Sequence, residues 1–309
     1  MSDVPAPARR IVVVLNAGSG QGSAEQLEER VADAFRAAGA DAEIRLAHGG
    51  AEIEAALDAA VRQSPDVIVA AGGDGTVSAV GAALAGSAIA MGVLPLGTLN
   101  HFAKDFGVPL ELEAAVEHVV HGRPVRVDVG EVNGRVFVNN SSLGLYADIV
   151  RDRERQQKRL GRGKWPALVW ATLSALRRYP FLSVRLLVDG QERLWRTPFV
   201  FVGNNEYTME GFAIGERAGI QDGRLSLYVA QRPGRLRLLL LVLRALIGGL
   251  RQARDFSAMT AAEIVVESRH HRLRVATDGE VTVMTPPLTY RIRPSSLGVM
   301  RADSDLQST

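Results

Sequence analysis

Val67–Ala71 (VIVAA) is apolar at every position and runs straight into Gly72-Gly73-Asp74-Gly75, after which Thr76–Ala85 takes up a helical pattern. A strand with no polar side is covered on both faces, the mark of a parallel sheet between layers of helices. The same unit occurs at Ile11–Leu15 (IVVVL), which leads through the glycine loop Asn16–Gly22 into a helix over Ser23–Ala38. Leu27, Val31, Ala34, Phe35 and Ala38 recur there with helical periodicity, and Gly39 is placed to end the helix. Glu43–Leu46 and Ala51–Arg62 supply a further strand and helix, and a fourth strand, Ile89–Leu94, leads into Pro95–Asn100. Strands alternating with helices in this way give an α/β domain.

The glycine loops after Leu15, Ala71 and Leu94 follow parallel strands, so all three fall at the carboxyl edge of one sheet, where open α/β sheets bind ligands. Consecutive glycines allow close backbone approach, and a helix N-terminus offers free N–H groups and partial positive charge to a phosphate. Three such loops on one edge read as a nucleotide site. Asp74 is unsuited to face a phosphate alone and points to Mg²⁺ or a bound water. The dinucleotide fingerprint GxGxxG and the P-loop GxxxxGK followed by Ser or Thr are both missing, which argues against the usual sites of those kinds.

Past Pro124 the pattern changes. Val125–Val132, Arg135–Asn140, Leu182–Asp189, Arg196–Val202, Arg224–Ala230, Glu263–Glu267, Arg272–Ala276 and Leu288–Arg293 read as strands, several of them joined by turn pairs such as Asn133-Gly134 and Asp189-Gly190. This half reads as antiparallel β with helical insertions at about 146–178 and 234–252, and the domain boundary falls near residue 127. A chain of 309 residues has room for two domains. Charge divides at the same place: residues 1–127 hold 9 Lys and Arg against 16 Asp and Glu (net −7), and residues 128–309 hold 27 against 18 (net +9). The basic second part suits an anionic partner, although with only three lysines among the cations the excess also fits an arginine-rich codon bias.

Other classes are excluded. With no cysteine there is no disulfide framework, thiolate metal site or cysteine nucleophile. The six histidines show no metal-ligand spacing, and no GxSxG hydrolase elbow occurs. The opening residues MSDVPAPARR read as neither a signal peptide nor an anchor. Leu236–Leu250 is interrupted by Arg237 and Arg244 and falls short of the roughly 20 apolar residues of a membrane span.

The motifs in order carry a family resemblance. Asn16-x-x-Ser19-Gly20, Gly72-Gly73-Asp74-Gly75-Thr76 and Pro95-Leu96-Gly97-Thr98-x-Asn100-x-Phe102-Ala103 resemble the diacylglycerol kinase catalytic-domain family, soluble bacterial lipid kinases related to sphingosine kinases and NAD kinases. Val127-Asp128-Val129-Gly130 with Phe137-x-Asn139, then Ser142-Leu143-Gly144, Ile220-Gln221-Asp222-Gly223 and Asp278-Gly279-Glu280 are similar to the family's later motifs, and the series runs from about residue 11 to 300. The chain departs from the pattern at His101, where many members have Asp, at Ala47, where a Thr is common, and at Ala17, where Pro is usual. The base and the glycine-rich loop are kept.

The resemblance implies an N-terminal α/β domain of NAD-kinase type over 1–127, with 294–309 returning to it, and a C-terminal antiparallel β-sandwich over 128–293. ATP and lipid would meet in the cleft. It implies ATP contacts from Asn16, Ala17, Gly18, Ser19, Gly20, Gly72, Gly73, Asp74, Gly75, Thr76 and Thr98. Glu280, with Asp278, would be the proton acceptor; Asp222, with the carbonyls of Gly219 and Arg224, would hold a structural Mg²⁺; Asp74 and Asp128 would order the catalytic Mg²⁺. Between strand-like segments, Asp278 and Glu280 would share one face at period two. Such a kinase would transfer the γ-phosphoryl group of ATP to a hydroxyl of a diacylglycerol-like or sphingoid lipid.

Arg151–Lys164 holds seven cations and runs into the apolar, tryptophan-bearing Trp165–Leu176, and Arg237, Arg244 and Arg251 line one helical face. Both read as membrane-surface elements or as solvated helix faces. The expected partners are a membrane lipid as substrate and the membrane surface, with a homodimer left open and nucleic acid not expected. The expected location is the cytoplasm, with peripheral contact at the inner membrane face. Two other readings stand beside this one: an NAD-kinase-type kinase of a soluble alcohol, since Asn205-Glu206 is similar to the Asn-Glu pair of NAD kinases, and a non-catalytic nucleotide- or lipid-binding homologue.

Overall fold

A computed structural model describes residues 9–19, 23–144, 182–205, 207–210, 213–217, 221–230 and 256–302 of the 309-residue chain. The chain divides into two compact units, Met1–Val127 with Ser295–Thr309, and Asp128–Pro294. The expected helical insertions at 146–178 and 234–252 lie outside the described residues.

The first unit begins with β1 (Ile11–Asn16), α1 (Ala24–Ala37), β2 (Ala42–Ala47), α2 (Gly50–Arg62), β3 (Val67–Gly72), α3 (Asp74–Leu84) and β4 (Ala90–Pro95). Then come α4 (His101–Asp105), α5 (Leu112–His121) and β5 (Arg123–Val132), which carries the chain into the second unit. The sheet order is β2-β1-β3-β4, every pair parallel. β3 and β4 are buried at every residue and β1 at all but Asn16, so both faces of the sheet are covered. α1 packs with α5, and α2 with α3. Ser23 caps α1 in a full capping box with Gln26. Leu27, Val31, Ala34 and Phe35 form the buried stripe of α1. Two helices go beyond the sequence reading. α5 buries Leu112, Ala115, Val116 and Val119 with a helical period, and α4 has only five residues, too few to show one.

The second unit holds β6 (Arg135–Phe137), β7 (Asn140–Gly144), β8 (Leu182–Val188), β9 (Gln191–Thr197), β10 (Phe199–Asn204), β11 (Tyr207–Glu210) and β12 (Ala213–Arg217). It continues with β13 (Leu225–Ala230), β14 (Phe256–Ala261), β15 (Glu263–Ser268), β16 (Leu273–Thr277), β17 (Glu280–Met284) and the long β18 (Leu288–Arg301). One antiparallel sheet has the order β14-β13-β10-β7-β16-β17. In a second set, β15 lies between β8 and the first half of β18, and β9 pairs with β8. One core joins the two: Leu143, Val200, Leu227 and Val275 from the first pack with Leu186, Ile264, Leu288 and Tyr290 from the second. Tyr290 is fully buried, and burial pushes its phenol above the ordinary range against the opposing hydrogen bond with Ser141. The second half of β18 belongs to the first unit, where Gly298 and Val299 pair parallel to Ala90 and Met91 of β4.

Several strand limits differ from the sequence reading. Arg196–Val202 is two strands that break at Pro198, where the Thr197 hydroxyl donates to Phe199 O at 2.7 Å. Arg135–Asn140 breaks after Phe137, because the next N–H groups turn to a carboxylate described below. Leu288–Arg293 continues to Arg301. Among the described residues, no helix is long and apolar enough to cross a membrane.

Candidate active site

In the first unit the three glycine loops form one hydrogen-bonded rim at the carboxyl ends of β1, β3 and β4. Asn16 closes the first loop: its Oδ1 accepts the Gly18 N–H at 3.0 Å, and its O accepts the Ser19 N–H at 2.9 Å. Its Nδ2 donates to Thr76 Oγ1 at 3.2 Å, which ties this loop to the first turn of α3. That helix starts at Asp74 rather than at Thr76, with Gly73 as its N-cap and no side chain capping it. Asp74 and Gly75 therefore sit in the first turn, at its positive end.

The third loop rests on the second. The Leu96 N–H donates to Gly72 O at 3.0 Å. A Cβ on Gly97 would come within 2.5 Å of Gly73 Cα, so only glycine permits this approach. Asn100, left-handed at φ 51°, holds the turn from inside: Oδ1 accepts the Gly97 N–H at 3.1 Å, and Nδ2 donates to Pro95 O at 3.1 Å and Gly97 O at 2.9 Å. Asp74 Oδ1 accepts the Phe102 N–H at 3.4 Å, joining α3 to α4. The rim thus brings Asn16, Ala17, Gly18, Ser19, Gly72, Gly73, Asp74, Gly75 and Thr76 together, with the exposed Thr98 on the Gly97 turn. Gly20 lies outside the described residues. An uncapped helix start with glycine loops around it fits a polyphosphate.

The second unit gathers the other residues. Asp128 is buried, and its Oδ2 accepts the Gly223 N–H at 2.8 Å, which places it against the Asp222-Gly223 turn. Asp222 and Arg224 are exposed there, and Gly219 lies outside the described residues. Asn204 Nδ2 donates to Asp128 O and to Val138 O, both at 2.9 Å. Next to it, Asn205 is fully buried, and neither Oδ1 nor Nδ2 of its amide has a partner. An orphaned amide oxygen, the Asp128 carboxylate and an exposed carboxylate at Asp222 are the hard oxygen donors that Mg²⁺ takes. Among the described residues, no three His, Asp or Glu side chains are gathered into a metal cluster.

Asp278 and Glu280 do not share a strand face. Asp278-Gly279 is the turn between β16 and β17, with both residues at positive φ (49° and 89°), and Glu280 is the first residue of β17. Asp278 turns back to accept the N–H groups of Val138 at 2.8 Å, Asn139 at 2.8 Å and Asn140 at 3.0 Å. Glu280 faces another way and meets Arg135, Nη2 to Oε2 at 2.6 Å. The sequence assigns Arg135 no role by its motifs, and marks Asn205 only through the likeness of Asn205-Glu206 to the Asn-Glu pair of NAD kinases. Arg135 stands directly after an Asn-Gly turn as Glu280 does after an Asp-Gly turn, a symmetry visible in the sequence.

An α/β unit with phosphate-fitted loops along one strand edge, on the same chain as an antiparallel sandwich that bears a carboxylate hairpin, is the build of a kinase that phosphorylates an alcohol group. Residues 10–132 match the family model described as diacylglycerol kinase catalytic domain, and residues 142–301 match that of the YegS C-terminal NAD kinase beta sandwich-like domain. The chain belongs to the diacylglycerol kinase catalytic-domain family, and it is a kinase of the lipid-kinase type, as the motifs lead one to expect. It is 30% identical to a diacylglycerol kinase of Mycobacterium tuberculosis over 308 residues, 94% of this chain and 95% of that one. It is also 30% identical over 236 residues to a "Probable lipid kinase YegS-like" of Klebsiella pneumoniae, covering 74% of this chain and 75% of that one. In fold it is similar to a solved diacylglycerol kinase structure from Bacillus anthracis, with a TM-score of 0.73 at 22% identity over 97% of this chain and 100% of that one.

Proposed function

We propose that the protein is an ATP- and Mg²⁺-dependent lipid kinase that transfers the γ-phosphoryl group to a hydroxyl of a diacylglycerol-like or sphingoid lipid. The observation that carries this reading is the hydrogen-bonded rim of three loops around the start of α3. Backbone N–H groups there receive the phosphates, and Asn16, Ser19, Thr76 and Thr98 supply polar side chains around them. The lipid hydroxyl oxygen bonds to the γ-phosphorus as the bond to the ADP oxygen breaks, and the hydroxyl proton passes to the Glu280 carboxylate. Asp278 fixes the turn that presents Glu280. Mg²⁺ neutralises phosphate charge when bound. Asp74 and Asp128 are the carboxylates that would order a catalytic ion, and Asp222, with the carbonyls of Arg224 and Gly219, would hold a structural one.

The lipid is drawn from a membrane, which the protein meets peripherally from the cytoplasmic side. The net +9 of residues 128–309 supports that contact. The test is a panel of lipid alcohols in mixed micelles with labelled ATP. The expected result is label in a phospholipid product, dependent on Mg²⁺. Label transferred to NAD instead of any lipid, or tight ATP binding with no turnover across the panel, overturns the proposal.

A further inference from the structure

Arg135 and Glu280 lie far apart in the sequence and meet because two hairpins are each fixed at the turn. Asn133-Gly134 joins β5 to β6 with both residues at positive φ (47° and 85°), the I′ geometry. Asn133 anchors that turn to the strand beside it: its Nδ2 donates to Pro287 O at 3.1 Å, and its Oδ1 accepts the Thr289 N–H at 2.8 Å. Its own N–H donates to Thr289 O at 3.1 Å. Asp278 anchors the second turn through the three N–H groups of Val138, Asn139 and Asn140. Arg135 is the first residue after one turn and Glu280 the first after the other, and their side chains form an ion pair at 2.6 Å.

The pair is open to solvent, at 37% exposure for Arg135 and 66% for Glu280. Exposed pairs of this kind contribute little to stability. Two anchored turns therefore converge on a contact of small worth to the fold.

We propose that Arg135 is a positioning residue for phosphoryl transfer, acting through Glu280. Its guanidinium holds Oε2 and leaves Oε1 to take the proton. A glutamate on an exposed strand end otherwise samples many rotamers, and ordering it costs entropy at each turnover. Arginine suits this role better than lysine, because its planar fork fixes the orientation of a carboxylate where an ammonium supplies only charge. The inference rests on the reading of Glu280 as proton acceptor.

The test compares the parent with Arg135→Gln, Arg135→Lys and Glu280→Gln in the micelle assay, together with thermal midpoints. Arg135→Gln is expected to lower kcat about 10- to 100-fold, the scale of a misplaced reacting group. It should leave KM for ATP within about twofold and the midpoint within about 2 °C, as expected for an exposed pair. Arg135→Lys should recover part of the lost kcat. In crystals of Arg135→Gln, Glu280 should occupy more than one rotamer. Parental kcat in Arg135→Gln with Glu280→Gln inactive overturns the role of Arg135 and leaves the proton acceptor standing. Parental kcat in Glu280→Gln removes the proton acceptor, and the inference with it. A kcat loss that tracks a fallen midpoint, with no recovery in Arg135→Lys, or a single ordered Glu280 rotamer in Arg135→Gln, also overturns it.

Discussion

Asp278 and Glu280 are two residues apart and have different surroundings. Asp278 takes three main-chain N–H groups at 2.8 to 3.0 Å, so its charge is stabilised and its lone pairs are engaged. Glu280 is exposed and meets one guanidinium. A carboxylate surrounded by backbone donors serves geometry, whereas Glu280 stands at an exposed strand end with only its Oε2 in the ion pair. Removing Asp278 leaves three N–H groups without their acceptor. Asp278→Ala should therefore cost about 2–3 kcal/mol, the scale for losing charged hydrogen bonds, read as a lower urea midpoint with an unchanged slope. An unchanged midpoint would contradict the clamp. The turn itself is legible in the sequence, because Asp-Gly favours I′ geometry. Its partners are not: they lie about 140 residues earlier, and nothing local marks them.

At the scale of elements, the nucleotide rim depends on two loops touching backbone to backbone. A methyl on Gly97 would lie 2.5 Å from Gly73 Cα and 2.8 Å from Asn100 Oδ1. Gly97→Ala must push the third loop away from the start of α3. Calorimetric ATP binding should weaken about 10- to 100-fold, as displacement of a positioned group by about 1 Å does. Far-ultraviolet dichroism should not change, since the strands below keep their pairing. Parental affinity would contradict the contact. The runs of β1, β3 and β4 and the loops after them were legible, because a wholly apolar run next to glycines has few other readings. The short α4 was not. It is set by the left-handed Asn100 and by the Asp74 acceptor on a different element, neither of which leaves a period to read. The break between β6 and β7 was hidden for the same reason: the N–H groups of Val138 and Asn139 leave the ladder for Asp278.

For the molecule as a whole, the two halves differ in what their sequences reveal. Parallel strands buried on both faces announce themselves as apolar runs, so the α/β unit was readable almost element by element. In the sandwich pairing is long-range, and β9, β14 and β17 lie at sheet edges with few buried residues, so they were merged or passed over, whereas β10 and β13 are buried along nearly their whole length. The family motifs compensate, since their order along the chain holds where local pattern weakens. The division of charge between residues 1–127 and 128–309 fits a nucleotide-binding part and a part that meets anionic lipid. The central claim of the proposed function is that the glycine-loop rim holds ATP and that Glu280 takes the proton of the lipid hydroxyl. The direct measurement is the rate at which the parent and Glu280→Gln transfer label from ATP to diacylglycerol in mixed micelles, with ATP affinity measured alongside. The account predicts a loss of about 10²- to 10⁴-fold in rate, the usual worth of a general base, with ATP affinity unchanged. Transfer by Glu280→Gln at the parental rate would contradict it.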